Sequence, residues 1–143
     1  MSNSGFELRH CKVGDRLPLW QGEPFSRAAL ALFAGASGDH NPLHIDSDYA
    51  QAAGFDDVFV HGMFTFAFMQ QCLSRIVRQE YLDNIKVRFV SVMQLAEQPV
   101  CTGTVSQVEQ TETGQLLVMD LSVCNQHGVQ KLTAEVRVTL PFM

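Results

Sequence analysis

The run from Met63 to Met69, MFTFAFM, constrains the fold more than any other stretch. A helix predicted over roughly Met63 to Gln79 has apolar residues (Met63, Phe64, Phe66, Ala67, Phe68, Met69) on nearly every side of its first half. Gln70, Gln71, Arg75, Arg78 and Gln79 enter only later. Such a helix has to be enclosed by protein, since it is too short and too soon polar to cross a membrane. The residues that follow can enclose it. Ile85 to Met93 alternates Val87 and Phe89 with Lys86 and Arg88, and Val100 to Glu109, Leu116 to Asn125 and Val129 to Leu140 are rich in β-branched residues. Glu112-Thr113-Gly114 and Gln126-His127-Gly128 suit hairpin connections. Strands joined this way pair antiparallel, and a long twisted sheet wraps. The pattern predicts an α+β fold with a curved antiparallel sheet around one central buried helix.

Ahead of that helix, Leu17 to Trp20 is a candidate strand. Ser26 is placed to cap a helix whose apolar positions Leu30, Phe33 and Ala34 recur at helical spacing, and which ends near Gly35 to Gly38. Asp46 or Ser47 can cap a short helix over Asp48 to Ala53, with Gly54 ending it. At 143 residues the chain is read as a single domain, 1–143, long enough to bury about two thirds of its unfolded surface. A net charge of −5 argues against general nucleic-acid binding. Only 17% of residues are charged, which leaves room for an oligomer interface. Met1 to Phe6 is short, polar and Ser/Gly-containing, which reads as a frayed terminus and places the chain in the cytoplasm. Cys11, Cys72, Cys101 and Cys124 are widely spaced, so they suggest neither a zinc site nor a disulfide framework.

The chemistry concentrates in Ser37 to His44, SGDHNPLH. Asn41 and Pro42 force a turn, so the carboxylate of Asp39 and the imidazole of His44 can face one space. His61-Gly62 then opens the apolar helix and offers free backbone N–H groups at its start. A carboxylate, an imidazole and a helix N-terminus are what adding water across a double bond beside a carbonyl requires. The first two handle protons, and the third meets the charge that develops on oxygen. His40 and His44 have the spacing of a helical zinc pair, but Pro42 interrupts it and no third ligand follows at a sensible interval, so no metal is expected.

Phe33-Ala34-Gly35-Ala36-Ser37-Gly38-Asp39-His40-Asn41-Pro42-Leu43-His44, then Asp46, Tyr49-Ala50 and Val60-His61-Gly62-Met63, closely resembles the hydratase motif of the MaoC-like (R)-specific enoyl-CoA hydratases and 3-hydroxyacyl-thioester dehydratases. Val87-Arg88-Phe89 and the final strands extend the resemblance over nearly the whole chain. It implies the hot-dog fold, with an extra helical segment carrying the motif. It also implies catalytic roles for Asp39 and His44 and an oxyanion-binding N–H at Gly62. The implied assembly is a homodimer with acyl tunnels near its interface, acting on an acyl-CoA or acyl-carrier-protein thioester without a cofactor. Several members carry a small residue on the central helix where this chain has Gln70, which points toward a short or polar-bearing acyl group.

Around these residues, Met63 is expected beside the substrate and Gln70 on the pocket wall. Asn41 holds the turn, and His61 shapes the loop or serves as a second base. Arg75, Arg78, Lys86 and Arg88 can gather where the helix ends and the next strand begins, as a solvated face or as a basic mouth for CoA phosphates or an acidic carrier protein. Two other readings stand beside the hydratase: a hot-dog thioesterase, and a non-catalytic acyl-thioester binding subunit of a heterodimer.

Overall fold

A computed structural model describes residues 6–142, so the stretch read as a frayed start lies outside the described residues except for Phe6. The elements run in the order β1 (Trp20–Gln21), α1 (Arg27–Ser37), α2 (Ser47–Ala52), α3 (Gly62–Leu73), β2 (Leu82–Phe89), β3 (Val100–Gln110), β4 (Gly114–Cys124) and β5 (Gln130–Pro141), with single turns of 3-10 helix at Leu8–His10, Pro42–His44 and Gln79–Tyr81. The strands form one antiparallel sheet in the order β1-β3-β4-β5-β2. Both predicted hairpins close neighbouring strands: Gln110 pairs Gln115 and Cys124 pairs Gln130. Register shifts between Val105 and Gln107 and between Leu82 and Asn84 bend the sheet, as an extra residue on one strand does. Leu30, Met69, Leu73, Leu117, Met119 and Val136, drawn from α1, α3 and the sheet, are all essentially buried in one core.

The central helix departs from the sequence expectation in length and enclosure. It stops at Leu73, six residues before Gln79, and turns carry the chain to the 3-10 segment before β2. Thr65, Met69, Cys72 and Leu73, spaced at one and two turns, are buried against the sheet, whereas Met63, Ala67 and Gln71 face outward. The single chain therefore covers one face of an apolar helix and leaves a stripe of the other bare. The predicted strand at Leu17 to Trp20 shrinks to Trp20–Gln21. Leu17 and Gly14 still donate main-chain bonds to Gly103 and Val105 of β3, without a continuous ladder. The strand predicted over Ile85 to Met93 begins at Leu82 and ends at Phe89. Val90 and Ser91 still donate main-chain bonds to Lys131 O of β5, and Val92 and Met93 then turn toward the segment before α3, where Met93 O accepts a 2.9 Å bond from Val60 N.

Short polar side chains set the helix ends on the way to the site. Ser26 Oγ accepts from Ala29 N at 3.1 Å to start α1, and Gly38 ends it at φ +77, where a side chain would be strained. Asn41 Oδ1 accepts from Leu43 N at 3.0 Å, and Asp46 Oδ1 accepts from Tyr49 N at 3.1 Å to start α2. Asp57 ties the segment after α2 to α1. It accepts from Ser47 Oγ and Arg27 and from its neighbour Val58 N, and these bonds, the Ser47 hydroxyl first, hold its carboxyl below the ordinary range.

Candidate active site

Two short segments meet at the open end of α3. The first is the turn 39–44, which α1 delivers and Pro42 bends. The second is 59–62, which ends in the first turn of α3. His44 Nε2 lies 4.0 Å from Asp39 Oδ2, with the imidazole 10% exposed and the carboxylate 48% exposed. His44 Nδ1 lies 2.7 Å from Phe59 O. A carbonyl oxygen only accepts, so Nδ1 carries a hydrogen and Nε2 is the nitrogen turned toward Asp39, free to take up or give a proton. Asp39 Oδ1 accepts from Asn41 N at 3.2 Å, which leaves Oδ2 toward the imidazole. Asn41 thus serves the turn at both ends, through its amide and its side chain.

At the start of α3, Phe64 N and Thr65 N both bond back to His61 O, at 2.9 and 3.2 Å. The N–H groups of Gly62 and Met63 have no acceptor among the described residues, so the positive end of the helix dipole is open there. A cavity of about 340 Å³ adjoins Gly62 and is lined further by Phe59, Thr65, Phe89, Met93 and Lys131. Gln70 lies elsewhere. It is half-buried, makes no side-chain hydrogen bond among the described residues and does not line that cavity. Nor does it reach two larger clefts. One, about 980 Å³, is on the sheet face beside Arg16, Lys86 and Arg88, and the other, about 570 Å³, runs along α3 beside Phe68 and Arg75. The four basic residues read as one cluster are therefore divided, and Arg78 pairs with Glu80 at 2.8 Å and lies over the Tyr81 ring.

His61 is the residue whose place the sequence did not reveal. It is fully buried, its ring stacks on His44 with centroids 4.0 Å apart, and Phe33 of α1 covers it at 4.8 Å. Burial, and secondarily His44, push its imidazole below the ordinary range, against the opposing effect of Asp39. Asp39, His44 and His61 offer metal-ligand atoms that all lie within 4.8 Å of one another. The two rings are inclined by only 26°, however, so their in-plane lone pairs run side by side instead of converging on one ion. This geometry suits a proton-handling pair backed by a second ring better than a chelate.

A family model described as a MaoC like domain matches residues 12–129. The chain belongs to the MaoC-like family. MaoC-like relatives agree in fold and in parts of the sequence. The chain is 41% identical over 78 residues, 54% of its length, to the peroxisomal multifunctional enzyme type 2 of Mus musculus, and 36% identical over 76 residues, 53% of its length, to the peroxisomal enoyl-CoA hydratase 2 of Arabidopsis thaliana. The matched segments span 10% and 24% of those two proteins. A solved (R)-hydratase from A. caviae involved in PHA biosynthesis superposes with a TM-score of 0.78 at 22% identity, covering 93% of this chain and 99% of that one. The fold is the hot dog, with α3 in the place of the sausage.

Proposed function

We propose that this MaoC-like chain adds water reversibly across the double bond of trans-2-enoyl thioesters, carried on CoA or on an acyl-carrier protein, to give (R)-3-hydroxyacyl thioesters. Dehydration is the same path reversed. The observation that carries the reading is His44 Nε2 placed 4.0 Å from Asp39 Oδ2, with Nδ1 held against Phe59 O, beside a helix start with two unbonded N–H groups. A water seated between Nε2 and Oδ2 gives one proton to the pair as its oxygen bonds the β-carbon. The electron pair of the double bond moves toward the thioester carbonyl, whose oxygen gains charge against the Gly62 N–H. The enolate then collapses as the α-carbon takes a proton back from the pair, so that H and OH both end on the substrate and Asp39 and His44 return to their starting state. Proton transfer of this kind contributes about 10²–10⁴-fold, and one fixed oxyanion donor about 10²–10³-fold.

The cavity beside Gly62 is the proposed seat of the acyl group. At about 340 Å³ it is at the small end for ligand pockets and favours a short chain. A second copy of the chain belongs to the proposal. Met63 is 54% and Phe89 52% exposed on either side of the helix start, and Asp39 is open to solvent, so a single chain leaves the reacting groups wet. A homodimer supplies the missing cover.

The test is the initial rate of hydration of crotonyl-CoA and dodecenoyl-CoA by the purified chain, followed by loss of the conjugated thioester absorbance. Fast turnover of the short substrate and slow turnover of the long one are expected. Asp39→Asn should fold and lose at least about 100-fold in rate. Full activity in that variant would sink the mechanism, and release of free thiol without hydration would point to a thioesterase.

A further inference from the structure

His61 takes no part in the proton transfers of hydration, yet it is the most deeply buried polar side chain among the described residues. Its contacts reach every part of the site. The ring lies flat on His44. Nε2 lies 3.2 Å from the main-chain carbonyl of Asp39, which makes it the protonated nitrogen and a donor. Its own carbonyl takes the first two amide bonds of α3, and the same peptide group carries the Gly62 N–H. Phe33 packs on the same imidazole and stacks on Phe64 with centroids 4.5 Å apart and planes 4° apart, which binds α1 to this arrangement.

We infer that His61 is the positioning residue of the site. By holding the Asp39 carbonyl with Nε2–H and backing the His44 ring, it fixes the carboxylate, the imidazole and the helix start relative to one another. The inference rests on the hydration reading for its effect on rate, though its geometry stands apart from that reading.

A second consequence follows from the nitrogen left over. His61 Nδ1 is buried and has no partner among the described residues. A proton placed there would find no acceptor, and it would sit against a ring that must itself take a charge during turnover. The titratable groups that bear on His61 are His44 and Asp39, and the face toward α1 offers Phe33, which does not titrate. Of the two stacked rings, only His44 turns a free nitrogen, Nε2, toward a carboxylate, so the proton in transit during the proposed turnover goes there and not to His61.

Two variants separate positioning from packing. His61→Phe keeps an aromatic ring but removes the donor, while His61→Gln keeps a donor able to reach the Asp39 carbonyl. On crotonyl-CoA we expect kcat of His61→Phe to fall by about 10- to 100-fold, the scale of a small misplacement of reacting groups, with KM changed less than about twofold. His61→Gln should recover most of that loss. An unchanged kcat in His61→Phe, or equal losses in the two variants, overturns the proposal, as does a His61→Gln variant as inactive as Asp39→Asn.

Long-range 1H–15N correlation spectra of the native chain test the geometry without any turnover. His61 should appear as the neutral Nε2–H tautomer and stay neutral when the pH is brought below about 6.5, the ordinary histidine value. An Nδ1–H tautomer, or a ring that becomes charged at the ordinary histidine value, overturns the proposal even if the variants fail to fold. A native chain that turns over no thioester but keeps the Nε2–H tautomer sinks the hydration reading and leaves the placement of His61 standing.

Discussion

Gly62 stands at the first position of α3 with an unbonded N–H, and a Cβ built there would meet the Phe89 ring at 3.2 Å. Proline is tolerated at a first helical position, and His61, at φ −53 and ψ 133, already has the extended backbone that a following proline demands. Gly62→Pro thus removes one hydrogen with little other change, since Phe89 is exposed enough to move aside. We expect kcat to fall about 10²–10³-fold with the melting temperature nearly unchanged. Gly62→Ala, which displaces Phe89 but keeps the N–H, is the control. Equal losses in the two would remove Gly62 N–H as the donor. The residues of this site were legible in the sequence where their chemistry depends on local spacing: Pro42 and Asn41 bend a short turn, and a bend can be read from six letters. The partners that fix each ring were not legible. Phe59 O is a main-chain atom fifteen residues from His44, and the stacking of His61 on His44 exists only once two loops have met.

The same distinction holds for whole elements. The four long strands and both hairpins follow from β-branched runs and Gly-containing turns, and Ser26 and Asp46 mark helix starts because capping is local chemistry. The sequence pattern overstates the length of α3, because Arg75, Arg78 and Gln79 extend it, whereas Ser74 and the β-branched Ile76 and Val77 lower the helical propensity and the chain passes into turns in which the Arg75 and Ile76 amides bond three residues back. What holds the excursion between β2 and β3 had no signature at all. Lys131 of β5, buried, donates to Glu97 at 2.9 Å and to Val92 O at 2.8 Å, and Glu97 also accepts from Asn125 at 2.7 Å. Burial raises the Glu97 carboxyl, but the bonds from Gln94 N, Lys131 and Asn125 outweigh it, and the group ends below its ordinary range. This clasp fixes Met93, whose carbonyl holds Val60 immediately before His61. Lys131→Met leaves the half-buried Glu97 carboxylate without its cation, though still bonded to Gln94 N and Asn125, and should cost about 1–3 kcal/mol in denaturant unfolding. Adding Glu97→Gln should restore part of it, and a single variant as stable as the native chain would show that the clasp carries no weight.

For the molecule as a whole, His61 and Glu97 are, among the carboxyl and imidazole groups held below their ordinary range, the two that lie within the packed interior, and they shape its response to acid. His61 is neutral in the fold, while the unfolded chain takes up a proton below about pH 6.5. The unfolded state binds more protons in that range, so this contribution to stability is complete above about pH 6.5 and is lost as pH falls toward the folded value. Glu97 adds a second loss that begins below about pH 4.3 and runs down through its own depressed value. Urea midpoints measured from pH 3 to 8 should fall in two stages, and His61→Gln should abolish the first. A native midpoint flat down to pH 5 would contradict the neutral buried ring. Both imidazoles of the site have their hydrogen placed by a peptide carbonyl, Phe59 O for one and Asp39 O for the other. No codon change removes a carbonyl. A substitution at position 59 removes the ring that packs edge-on against His44 but not the carbonyl that holds its Nδ1–H, so an engineer who recarves that wall changes the packing of the imidazole without resetting which of its nitrogens faces Asp39.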